Sequence, residues 1–124
     1  MKAAGGPKAR AIAEAMGRSS ELNLAHQTLH YNDENGKHQY DSKGIPTAFD
    51  TTADYHTYGY LWAADWVCWH IDSVESRCLT KGVPTSAAYV ILNLGLPDWF
   101  GMPDSTTPFP ASMDVDWVRV YAQP

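Results

Sequence analysis

Polar and apolar residues alternate in short runs from His26 onward, and turn signals separate the runs. A period of two fits a strand with one buried face and cannot form the stripe of a helix. In residues 67–72, Val67, Trp69 and Ile71 fall on one side and Cys68, His70 and Asp72 on the other. In residues 88–94, Val90, Leu92 and Leu94 oppose Tyr89, Ile91 and Asn93, and in residues 22–31 a polar face of His26, Thr28 and His30 opposes Leu29 and Tyr31. The pattern predicts strands at 22–31, 56–62, 66–71, 74–79, 88–94 and 114–121, with loops at 32–54 and 95–111. The fold class is all-β, a sandwich or barrel whose strands need a core on one side only.

The 124 residues suit one ordinary domain. Five Trp and seven Tyr are more ring surface than such a core needs. A sugar-binding cleft is one use for flat apolar faces with polar edges, and a Trp-rich β core is another. A net charge of -5 with nine scattered Lys and Arg gives no basic stripe, which argues against nucleic acid. No apolar run approaches the ~20 residues of a membrane helix, so no membrane partner is expected, and MKAAGGPKAR lacks the apolar region of a signal peptide. His26, His30, His38, His56 and His70 have no zinc-site spacing, and no phosphate loop, G-x-S-x-G or Cys/His nucleophile pair occurs.

Cys68 and Cys78 flank a predicted hairpin with its turn near Asp72 and Ser73. A two-residue turn pairs Cys68 with Arg77, whereas one extra residue brings it opposite Cys78. A disulfide and two free thiols both stand at this point.

Four ordered stretches together resemble the C-terminal part of glycoside hydrolase family 16, the laminarinases, lichenases and agarases. They are AHQTLHY (25–31), YHTYGYLWAADWVCWHIDSVE (55–75), AYVILNLGL (88–96) and FPASMDVDWVRVY (109–121). The resemblance implies a partial, concanavalin A-like jelly-roll sandwich over residues 25–124, preceded by an N-terminal segment, 1–24. It implies endo-hydrolysis of β-1,3- or β-1,3-1,4-glucan with retention, on a concave sheet. By position His26 and Asn93 would project into the cleft, with Trp99 in the loop beyond and Met113 at the floor. Leu96, Pro97 and Asp98 stand where the family has Gly-Gly before that Trp.

The family's catalytic motif is E-x-D-x-x-E, or a form one residue shorter, on a strand before the HQT-like segment. Its first Glu is the nucleophile and its last the acid/base, because retention needs two carboxylates about 5–5.5 Å apart. The longer form requires a bulge to return the last Glu to the cleft face. Laid over residues 9–17, it keeps Glu14 as a remnant acid/base and puts Ala9 and Ala11 at the nucleophile and Asp positions. Turnover is then expected to be weak or absent, and a non-catalytic glucan-binding sandwich or a truncated product without ligand are the rival readings. The same segment also reads as a short helix, with Pro7 opening it, Gly17 closing it, and Ala9, Ile12, Ala13 and Met16 at helical spacing.

No cofactor is expected beyond the calcium that family members often carry. Asp116 matches one ligand of it, and the other ligands normally come from the N-terminal half of the domain. β-Glucan is the expected partner, with a homodimer completing the sandwich. Family members are usually secreted.

Overall fold

The structure, a computed structural model, describes residues 9–15, 20–95, 103–107 and 109–122. It contains β1 (Arg10–Ala15), β2 (Leu24–Asn32), β3 (His38–Pro46), β4 (Tyr58–Trp62), β5 (Val67–Ile71) and β6 (Val74–Leu79). These form two antiparallel three-stranded sheets, ordered β1-β2-β3 and β4-β5-β6. No helix occurs among the described residues, and the fold is the expected all-β one, part of a jelly-roll sandwich.

The sheets meet over a small core. Leu29 and Tyr31 from β2 and Val67 and Trp69 from β5 form the buried cluster, with Ala9, Ala11, Trp62, Leu79 and Val83 packed against it. The alternation in the sequence selects these residues. Each such side chain contributes roughly 1.5–3 kcal/mol on full burial.

Of the two readings of the N-terminal segment, strand and short helix, the structure has the strand, β1. Its register on β2 runs without a shift from Arg10↔His30 to Ala15↔Ala25. A short helix over these residues would gain only the few tenths of a kcal/mol per residue of alanine's intrinsic preference. As a strand, the segment pairs its backbone with β2 and lays Ala9 and Ala11 on the core, so tertiary packing overrides propensity.

The expected loop at 32–54 contains β3. Asp33 makes the turn, its Oδ1 accepting from the backbone N–H of Asn35 and Lys37, with Gly36 at φ +76°. β3 carries almost no apolar residue, so hydrophobic periodicity gives no sign of it. Pairing with β2 along its whole length holds it.

The β5–β6 hairpin turns on Asp72 and Ser73, at φ 49° and 68°. This two-residue turn alone would oppose Cys68 to Arg77. A register shift between Trp69 and His70 adds the extra residue on β6, so Trp69 pairs with Arg77 and Cys68 with Cys78. The two cysteines form a disulfide.

The same bulge carries the polar contact between the sheets. In a regular strand Ser76 and Arg77 would point to opposite faces. Here both reach β2: Gln27 Nε2 donates to Ser76 Oγ (2.7 Å) and Arg77 Nη1 donates to the Gln27 carbonyl (2.8 Å). Ser76 Oγ donates on to the Trp69 carbonyl, and Arg77 also pairs with Asp41 of β3.

Two compact units divide the chain, residues 1–88 and 89–124. Strands were expected at 88–94 and 114–121. In the structure these residues carry no ladder, and Tyr89, Val90, Ile91 and Val115, Trp117, Val120 are exposed. The alternating side chains of a strand are present, but among the described residues no neighbouring backbone satisfies their N–H and C=O groups.

Candidate functional site

One face of the β1-β2-β3 sheet packs on the core, and the other is polar. Alternation puts Arg10, Ile12 and Glu14 of β1 on that second face, beside His26, Thr28 and His30 of β2 and Gly44, Ser42, Tyr40 and His38 of β3. The register sets Glu14 directly opposite His26 and Arg10 opposite His30.

His26 is held from two sides. Its Nε2 lies 3.1 Å from a Glu21 carboxylate oxygen, and Glu21 is fixed in the turn before β2 by the Leu24 N–H to Glu21 carbonyl bond. Across the sheet the ring lies over Gly44, where an added Cβ would come within 3.5 Å of Cε1. Thr28 and Ser42 share a hydroxyl hydrogen bond of 2.7 Å further along the face.

Towards the far end, His30 Nδ1 meets His38 Nε2 at 3.0 Å, and their rings stack at 5.2 Å with Tyr40 alongside. Burial holds the His30 pKa below its ordinary value, and the positive charges of His38 and Arg10 act the same way. Glu14 opposes them by favouring the protonated ring.

This arrangement offers two carboxylates, Glu14 opposite His26 on the ladder and Glu21 against its ring, together with the imidazole itself and flat rings against which a sugar can lie. The two positions before Glu14 on this face are Ile12 and Arg10. Ala9 and Ala11 lie on the core side, and no bulge returns them.

Of the residues singled out from sequence, Glu14 and His26 are brought together. Asn93, Met113 and Asp116 are exposed residues of the second unit. Trp99 lies outside the described residues. Among the described residues Asp116 belongs to no group of three His, Cys, Asp or Glu ligands, and no chemistry is derived through a calcium ion there. Sequence reasoning missed Glu21, His38 and Tyr40. The last two sit in the unexpected β3, and Glu21 sits in a turn without a local signature.

Comparison with known proteins places the chain in a class. Residues 12–119 match the family described as Glycosyl hydrolases family 16, and the chain belongs to that family. It is similar to a β-glucanase of Paenibacillus macerans, 30% identical over 62% of this chain and 33% of the relative. It also resembles a β-glucanase of Acetivibrio thermocellus, 30% identical over 59% of this chain and 22% of the relative, and one of Bacillus subtilis strain 168, 29% identical over 75% and 38%. The chain thus spans about a third or less of the first two relatives' length.

Proposed function

We propose that the chain binds β-glucan on the Glu14/His26 face and descends from retaining endo-β-glucanases, with turnover weak or absent. The unshifted β1–β2 register carries this reading, because it joins the one motif carboxylate to the histidine of the HQT stretch on an open polar face. Retaining hydrolysis needs a second carboxylate as nucleophile. Glu14 would serve as acid/base, and Arg10 and Ile12 occupy the outward positions preceding it.

The register also favours the shorter form of the motif. In a regular strand alternate residues share a face, so Arg10 replaces the nucleophile, Ile12 the Asp, and Glu14 remains. Ala9 and Ala11 drop out of the assignment. By resemblance to the family, Asn93, Trp99 and Met113 are further residues for glucan contact.

The non-catalytic reading is favoured by the same observation: an arginine and an isoleucine stand where the chemistry needs acids. Calorimetry with laminarin and lichenan, paired with reducing-sugar release, tests both readings. Binding lost in His26→Ala is expected, with sugar release slow or nil and any remainder removed by Glu14→Gln. No heat with either glucan at millimolar sugar overturns the proposal and leaves a product without ligand.

A homodimer belongs to the same proposal. Tyr89, Ile91, Val120 and Tyr121 expose apolar surface that a second copy would cover. Sedimentation should give a dimer mass, and a monomer free of dye-binding apolar surface would overturn this part.

A further inference from the structure

The bulge in the β5–β6 hairpin gathers a second chemical group on the face of that sheet away from the core. Glu75 and Cys78 are three residues apart, which in a regular strand would put them on opposite faces. The shift at Trp69/His70 leaves Ser76 unpaired, so Glu75 opposes His70 while Cys78 opposes Cys68. Both β6 residues therefore share a face with Cys68. The Cys68 Sγ, the Cys78 Sγ and a Glu75 carboxylate oxygen all lie within 4.8 Å of one another. In the oxidised protein the two sulfurs are joined.

We propose that when this disulfide is reduced, Cys68, Cys78 and Glu75 form a binding site for a thiophilic divalent cation, zinc being the best match. Two thiolates and a carboxylate are a donor set zinc accepts, with Zn–S near ~2.3 Å, Zn–O near ~2.0–2.2 Å, and water in the fourth position. The oxygen donor suits zinc better than a purely thiophilic ion such as copper(I). Cys68 is buried while Glu75 and Cys78 are exposed, so an ion enters from the Glu75 and Cys78 side with the hairpin intact. The ladder from Val67↔Leu79 to Ile71↔Val74 keeps the two thiols across from each other once the covalent link is gone. Disulfide and metal exclude one another, so the site exists only under reducing conditions. It is independent of the glucan reading, since these residues lie on the other sheet.

The chemistry balances with a phosphine as reductant. The phosphine attacks one sulfur, the S–S bond breaks, water supplies the oxygen of the phosphine oxide, and both sulfurs leave as thiols. Binding one zinc ion by the two thiols then releases two protons.

The full chain, oxidised or reduced by a trialkylphosphine, is titrated with zinc against a chromophoric chelator, and with cobalt(II) while absorbance is recorded. The reduced protein should bind one more zinc than the oxidised protein and show thiolate-to-cobalt charge transfer. Glu75→Gln, at an exposed position, should weaken zinc at least tenfold and keep the charge-transfer band. The Cys68→Ser, Cys78→Ser double variant should lose the added equivalent. Equal zinc uptake in both redox states, or the added equivalent persisting in the double variant, overturns the proposal. So does a reduced protein that loses its near-ultraviolet circular dichroism and fails to regain it with zinc.

Discussion

Glu14 stands directly across the β1–β2 ladder from His26, in a register that runs unbroken from Arg10 to Ala15. The pair shares the open face of its sheet, while Ala9 and Ala11, at the opposite parity, pack against the core. That parity decides which substitutions can rebuild a catalytic pair.

Arg10→Glu with Ile12→Asp places both new carboxylates on the Glu14 face. Reducing-sugar release from lichenan or laminarin above the parent's level is the expected gain. Ala9→Glu with Ala11→Asp should give none, because those positions pack against the Leu29/Val67/Trp69 cluster. Its signature is instead a loss of stability of about 1–3 kcal/mol for each polar group buried without a partner. Urea unfolding of the two double variants tells them apart: the first stays near the parent, the second falls well below it. The reverse ranking would mean that β1 carries the longer, bulged motif.

The His30 imidazole should titrate below 6.5 in the folded protein, followed by its ring-proton chemical shift. Burial is the first cause and the charges of His38 and Arg10 the next, so Arg10→Ala should move the midpoint upward by a fraction of the shift. A folded pKa below the unfolded value means the unfolded chain binds the proton more readily. The stability linked to His30 is therefore complete above pH 6.5 and is lost as pH falls through the folded midpoint. The ring is part exposed, which keeps the effect on total stability small.

What was legible in the sequence follows from which forces shape each element. β5 and β6 were readable because Val67, Trp69 and Ile71 face a core and Asp72-Ser73 makes a left-handed turn. β1 was ambiguous because alanine is indifferent to both periods, and only contact with Leu29 and its neighbours decides the matter. β3 gave no signal, since Gln39, Asp41 and Lys43 occupy its inward-facing positions and Asp41 is held by a charge pair with Arg77, 36 residues away. Sites follow the same division. The place of His26 on the polar face was legible because it lies on an alternating strand; Tyr40 and His38 lie on β3, and theirs was not. The disulfide hinged on one bulge residue, Ser76, whose reason for being there is the bond to Gln27, a contact 49 residues distant that no local pattern contains.

That bond predicts a specific energetic coupling. Gln27 is buried, its Nε2 donates to Ser76 Oγ, and its Oε1 has no partner. Ser76→Ala leaves the amide N–H unpaired in the core and should cost about 1–3 kcal/mol. In a Gln27→Leu background the same change should cost less than about 1 kcal/mol, because there is no amide left to orphan. The difference, read by a double-mutant cycle in urea, isolates the coupling between the two sheets. Equal costs in both backgrounds would mean that Ser76 matters for the bulge alone and not for Gln27.

Gly82 gives the sharpest test of how the chain leaves β6. It sits at φ +74°, and an added Cβ would lie 2.4 Å from Tyr31 Cδ1 and 2.5 Å from Cγ. Tyr31 belongs to the buried cluster, so its ring has little room to retreat. Two penalties act together in Gly82→Ala. The left-handed backbone costs roughly 1–2 kcal/mol for a residue with a Cβ, and overpacking against the ring costs typically about 1–3 kcal/mol more. Gly36 is a matched control: it has φ +76° but nothing within 4 Å of an added Cβ, so Gly36→Ala should show the backbone term alone. Adding Tyr31→Leu to Gly82→Ala separates the terms further, since a smaller side chain relieves the clash and leaves the dihedral strain. Thermal unfolding of these three variants, with Tyr31→Leu alone as the background reference, should rank Gly82→Ala below Gly36→Ala. Part of that gap should close in the Tyr31→Leu background; equal losses at Gly82 and Gly36 would mean that the 80–83 segment does not lie on the Tyr31 ring in solution.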